Sequence, residues 1–125
     1  MIDTVEKVYD EMVKALDLDM SMLTTKKKDV YAVLFFGLCT AMSNMYDIDP
    51  DKLSIDFMNV LKDKFGYEET KAAECIVFCI QVSQPRVNPE YHAVLRLGTD
   101  NFFDLEDGYY DDIKAAVPSV VESLA

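Results

Sequence analysis

Cys75 and Cys79, four residues apart, and the single histidine, His92, are the side chains of this sequence best suited to holding a soft metal. Structural zinc needs four converging nitrogen or sulfur ligands, and a cysteine pair on one helical face supplies two. With no second pair near in sequence, core packing explains both thiols better. His92, Arg96 and Asp100 are spaced i, i+4 and i+8, which puts them in a row along a helix. Such a row can form an Arg/His-assisted acidic site, but the simpler expectation is a surface Arg96–Asp100 pair with His92 a turn earlier. Neither group offers the nucleophile, base and orienting partner that covalent catalysis requires. A phosphate-binding loop, a dinucleotide fingerprint and a serine elbow are also missing, so the expectation is no enzyme and no cofactor.

Carboxylate clusters raise the question of calcium, which takes oxygen ligands from a loop turning sharply at glycine. Asp47, Asp49 and Asp51 alternate as such a loop would begin, but its sixth place is Lys52 and its twelfth Met58. In the run from Asp104 to Gly108 the glycine comes one place early and no glutamate closes the loop. Helix caps and a solvated turn are expected at these places, and no metal.

The segment from Asp100 to Asp112 carries chemistry of another kind: six carboxylates and four aromatic rings in thirteen residues. Carboxylates repel nucleic acid and lipid headgroups and attract basic partners, and desolvated aromatic rings supply contact area at low entropic cost. From Asp100 onward there are seven acids and one lysine, a net −6 out of the −11 of the whole chain. A turn between helices needs only one or two polar residues, and like charges so close cost stability. Phe102, Phe103 and Leu105 are expected in the core. Tyr109 and Tyr110 are adjacent at the start of a helix, so at least one ring must be exposed. The candidate partner-binding residues are therefore Asp104, Asp107, Tyr109, Tyr110, Asp111 and Asp112.

Composition agrees with a protein partner. The 125 residues suit one domain, spanning 1–125, and the 50% hydrophobic content is too high for a disordered chain. A net charge of −11 argues against nucleic acid or an anionic membrane as partner. The one basic run, Lys26 to Lys28, reads as a solvated helix entrance. No segment approaches the roughly 20 apolar residues of a membrane span. Asp3, Glu6, Asp10 and Glu11 interrupt any export signal, and the odd count of three cysteines suits reduced, buried thiols, so a cytoplasmic protein is expected.

Six helical segments must position these groups, and no alternating strand pattern is found. The fold class is all-α, a bundle around a central apolar helix. The first helix is expected over about 3–18, with an Asp3/Glu6 capping box. The second, about 27–46, is apolar nearly all round and belongs in the middle, capped by Thr24 or Thr25. Asp49-Pro50 starts the third and Gly66 stops it. The fourth covers about 68–84, its small residues suited to close approach to the central helix. Asn88-Pro89 starts the fifth, which must pack tightly or bend at Gly98. The sixth, about 110–124, is expected to kink or restart at Pro118.

The run Arg96-Leu97-Gly98-Thr99-Asp100-Asn101-Phe102-Phe103, followed by Glu106-Asp107-Gly108 and a last helix, resembles the C-terminal part of small all-helical immunity proteins of bacterial polymorphic-toxin systems of the contact-dependent inhibition type. These pair a basic residue, a glycine, an aspartate and an aromatic at similar spacing; here Leu97 stands where the basic residue would be and Arg96 is one earlier. The resemblance covers about a quarter of the chain. It implies an inhibitor that binds and neutralises a cognate protein toxin in the cytoplasm; the acidic surface makes that toxin a basic protein, with nucleases among the candidates, and a monomer or weak homodimer is expected. The alternative is a helical adaptor that takes an amphipathic peptide in an apolar groove lined by Phe and by Met12, Met20, Met22, Met42, Met45 and Met58.

Overall fold

A computed structural model describes residues 1–125 as six helices and one short 3-10 turn, with no strands. The helices are α1 (Val5–Leu16), α2 (Thr25–Tyr46), α3 (Pro50–Asp63), α4 (Glu69–Val82), α5 (Pro89–Asp107) and α6 (Asp111–Leu124), with the 3-10 turn at Met20–Met22 between α1 and α2. Their starts follow from local chemistry. Thr4, Thr24 and Asn88 each place a side-chain oxygen 3.2 Å from the amide of the third residue on, satisfying a donor that the helix leaves free. Thr4 replaces the expected Asp3/Glu6 box because it directly precedes Val5, and Asp3 instead pairs with the Lys7 ammonium at 2.8 Å. Asp49 precedes Pro50 without making a side-chain cap bond.

α2 is the central helix, in contact with each of the other five. Its apolar residues leave no polar stripe between Val30 and Met42, and eleven of its residues are buried. Phe35 of α2 stacks on Phe57 of α3 and on Phe65, which follows α3, and Tyr9 of α1 packs against Phe35 and Phe65, at centroid separations of 5.0 to 6.0 Å. The buried hydrophobic residues form one cluster, and no charged or polar side chain is buried.

α2 and α5 lie side by side in the same direction. Asp29 and Tyr91 line one depression at their N-terminal ends, and the Tyr46 hydroxyl donates to the Glu106 carboxylate at the other. Between these ends the backbones touch. A β carbon on Gly37 would lie 2.1 Å from the Leu95 carbonyl oxygen, and one on Gly98 2.3 Å from the Leu34 carbonyl oxygen. Gly98 thus serves tight packing, with α5 unbroken around it. The tightest approach to the central helix is made here by α5, whereas the small residues of α4 had pointed to that helix.

α6 runs continuously through Pro118, without the expected restart. Val117 and Val121 are buried on either side of the exposed proline, and packing of that stripe holds the helix together across the missing amide.

Candidate protein-binding surface

The turn joining α5 to α6 is built by Gly108, whose φ of 79° ends α5 in the left-handed conformation that glycine adopts without strain. The Tyr109 amide then donates to the Asp104 carbonyl at 2.8 Å, closing the last turn of α5. Tyr110 is half-buried, its hydroxyl donating to Glu11 of α1. That hydrogen bond raises its pKa, because the ionised ring would face a carboxylate. Tyr109 makes no such bond and is 70% exposed, so it is the ring presented to solvent.

Asp107, Asp111 and Asp112 are exposed and Asp104 is half-exposed. None takes part in the four ion pairs of the molecule, which join Lys7 to Asp3, Lys27 to Glu122, Lys52 to Asp56 and Lys71 to Asp29. Asp111 and Asp112 occupy the first turn of α6, where the helix dipole favours negative charge, so part of their placement is structural. Asp104 and Asp107 stand in the last turns of α5, where the dipole opposes them, and helix stability does not account for them.

Phe103 is a correction. Phe102 and Leu105 are buried as expected, but Phe103 is 51% exposed. Leu95, Gly98, Phe102 and Leu105 share the buried face of α5, and Phe103, about 100° round from Phe102, falls with exposed Asp100 and Asp107. The result is an apolar ring with a carboxylate one turn to each side.

Folding brings further acids to this end. An open depression of about 400 Å³ lies between α1 and the end of α5, with Asp10, Glu11, Glu106 and Asp107 in its wall and Lys7 its one basic side chain. Glu106 is held there by the Tyr46 hydroxyl and by the Ile2 amide at 3.3 Å. Asp10 and Glu11 lie about a hundred residues from the turn in sequence, and only their position on the polar face of α1 hinted at a role.

The other constellations do not assemble. Arg96 and Asp100 are both exposed without pairing, and His92 Nδ1 lies 2.9 Å from the Val82 carbonyl, tying α5 to the end of α4. The three cysteines are free, with Cys39 and Cys79 buried and Cys75 half-buried, and no three potential metal ligands converge. Met12, Met20 and Met42 belong to the core, Met58 is half-buried, and Met22 and Met45 project separately into solvent, so the methionines line no common groove. No helix is long and apolar enough to cross a membrane.

The structure is thus an all-helical frame that carries an acidic aromatic face at the turn between α5 and α6. Compared with known families, the chain matches Immunity protein 48 (Imm48) over residues 1–125 and belongs to that family. Neither a curated protein nor a solved structure matches it. Membership of an immunity family ties the chain to a toxin system, as the C-terminal resemblance implied.

Proposed function

We propose that this protein acts in the cytoplasm, without catalysis, by docking its acidic aromatic face on a basic cognate toxin and covering the active site or a nearby exosite. A nuclease fits best, because a cleft that binds nucleic acid presents the positive charge that this face complements. Asp104, Asp107, Asp111 and Asp112 steer the encounter. Tyr109 is the anchor, Phe103 adds apolar contact, and Tyr110 holds the turn against α1. The observation that carries this reading is Tyr109, 70% exposed among carboxylates that no lysine or arginine neutralises.

The test is titration of the cognate toxin. Tyr109→Ala should raise Kd by about thirtyfold, the loss typical of an interfacial hot spot. Joint charge reversal, Asp111→Lys with Asp112→Lys, should slow association and flatten its dependence on salt. Unchanged binding in both variants would place the toxin on another face.

A further inference from the structure

α4 sets Lys71, Cys75 and Cys79 in one row at four-residue spacing. Lys71 and Cys75 open, with Asp29 of α2 and Tyr91 of α5, into the depression at the N-terminal ends of those two helices. It measures about 390 Å³, and Glu74 and Phe78 also wall it. Cys79, one turn further on, is fully buried, as is Cys39 in α2. Half-buried Cys75 is therefore the one thiol of the molecule that a solute can reach.

Its neighbours prepare it to react. The Cys79 thiol, as hydrogen-bond partner, lowers the Cys75 pKa against burial and the Asp29 carboxylate, and the Lys71 ammonium adds to the lowering. The same hydrogen bond and then burial raise Cys79, and burial raises Cys39, so both stay protonated. Cys79 cannot close on Cys75 while α4 is intact: β carbons four apart on a helix lie about 5–6 Å from each other, and a disulfide holds them at about 3.5–4.5 Å. A sulfur from outside meets no such bar. The depression also brings charges of both signs to the thiol. Lys71 lies 3.2 Å from Asp29, and Glu74 is exposed without an ion pair. A solute with carboxylates alone is repelled by Asp29 and Glu74, and one with ammonium groups alone by Lys71; a solute with both suits the rim.

We propose that Cys75 is a site of reversible thiol modification, taking one half of a small peptide disulfide that carries both ammonium and carboxylate groups. The Cys75 thiolate attacks one sulfur of the disulfide. A new S–S bond forms as the old one breaks, and the other half leaves as a thiolate that takes up a proton from water, replacing the one Cys75 released. Cys75 is oxidised and the departing half is reduced. Lys71 seats a carboxylate of the half that stays. The depression lies at the opposite end of α2 and α5 from the Tyr46–Glu106 bond, so the modified chain keeps its Asp104–Asp112 turn uncovered. The proposal stands whether or not that turn binds toxin.

The probe is oxidised glutathione on the folded full chain, followed by intact mass and peptide mapping. One glutathione per chain should add at Cys75, about a hundredfold faster than at Cys39 or Cys79 and at a rate unaffected by sub-denaturing urea. Cys75→Ser should take up none. The adduct should persist once excess reagent is removed, without passing to a Cys75–Cys79 disulfide. Lys71→Met, at a half-exposed position, should slow the reaction with oxidised glutathione about threefold more than that with cystamine, which has no carboxylate. No adduct, equal rates at all three cysteines, a rate that climbs with urea, collapse to an internal disulfide, or equal slowing of both reagents by Lys71→Met would each overturn the proposal.

Discussion

Gly37 and Gly98 face each other where α2 and α5 touch: a β carbon on Gly98 would lie 3.2 Å from the Gly37 Cα and 3.0 Å from the Leu38 amide nitrogen. The two longest helices are thereby held in backbone contact, and the end of α5 that carries the acidic turn is fixed relative to the central helix. Alanine at either position would favour an isolated helix by about 1 kcal/mol. Here it must push apart backbone atoms, which cannot rotate away as a flexible side chain would. Gly37→Ala and Gly98→Ala should each therefore destabilise the protein, by about 3 kcal/mol or more at the upper end of overpacking costs. Urea unfolding measures this, and a neutral or stabilising result would contradict the contact.

Adjacent phenylalanines should behave oppositely. Phe102 is fully buried and its truncation to alanine should cost about 3–5 kcal/mol. Phe103 touches Phe102 edge-on at a centroid distance of 5.6 Å but is half in solvent, so Phe103→Ala should cost less than about 1 kcal/mol. Equal losses in urea unfolding would mean that the register of α5 is different.

Helix caps make a graded set. Thr24→Ala and Asn88→Ala should each lose about 1 kcal/mol, since each removes the acceptor of a backbone amide. Asp49→Ala should lose far less, because its side chain makes no cap bond and Pro50 has no amide to satisfy. Thermal melts of the three variants should rank them in that order.

Alkaline pH should unfold the protein through its tyrosines. Burial raises the pKa of Tyr9, Tyr31 and Tyr91; hydrogen bonding to Glu106 pushes Tyr46 up to about 12; burial and then Asp29 raise Tyr67 further. A folded-state pKa above the unfolded value means that the native state keeps protons which the unfolded chain releases. That stability is complete below the ordinary tyrosine pKa of about 10 and is lost as pH rises beyond it. The urea midpoint should begin to fall at about pH 8.5, where the unfolded chain releases the thiol proton that burial keeps on Cys39, and fall further above about pH 10, while absorbance titration of the folded protein should show these phenols ionising late. Tyr67→Phe, which removes the 2.6 Å bond to Asp29, should soften the alkaline fall.

Much of this was legible along the chain. Pro50, Pro89 and Gly108 delimit their helices because each fixes or frees a backbone angle locally, and α2 declared itself central by having no polar stripe. Phe103 was misplaced because apolarity was weighed before phase; the spacing of Leu95, Gly98, Phe102 and Leu105 already put it on the other face. The local penalty of Pro118 points to a break as readily as to a bend, and only the buried valines on both sides decide that α6 continues. What no local reading reaches are the meetings of residues distant in sequence. Glu11 bonds Tyr110, Tyr46 bonds Glu106, and Gly37 receives the Leu95 carbonyl only once the helices have assembled.

No charged side chain is buried in this protein, so its interior holds no ionic partner that a surface substitution would leave stranded. Exposed carboxylates such as Asp107 and Asp112 can be exchanged, reversed or multiplied while the aromatic and aliphatic frame stays as it is. On the surface proposed to meet the toxin, recognition would therefore be free to diversify by single substitutions that leave folding intact.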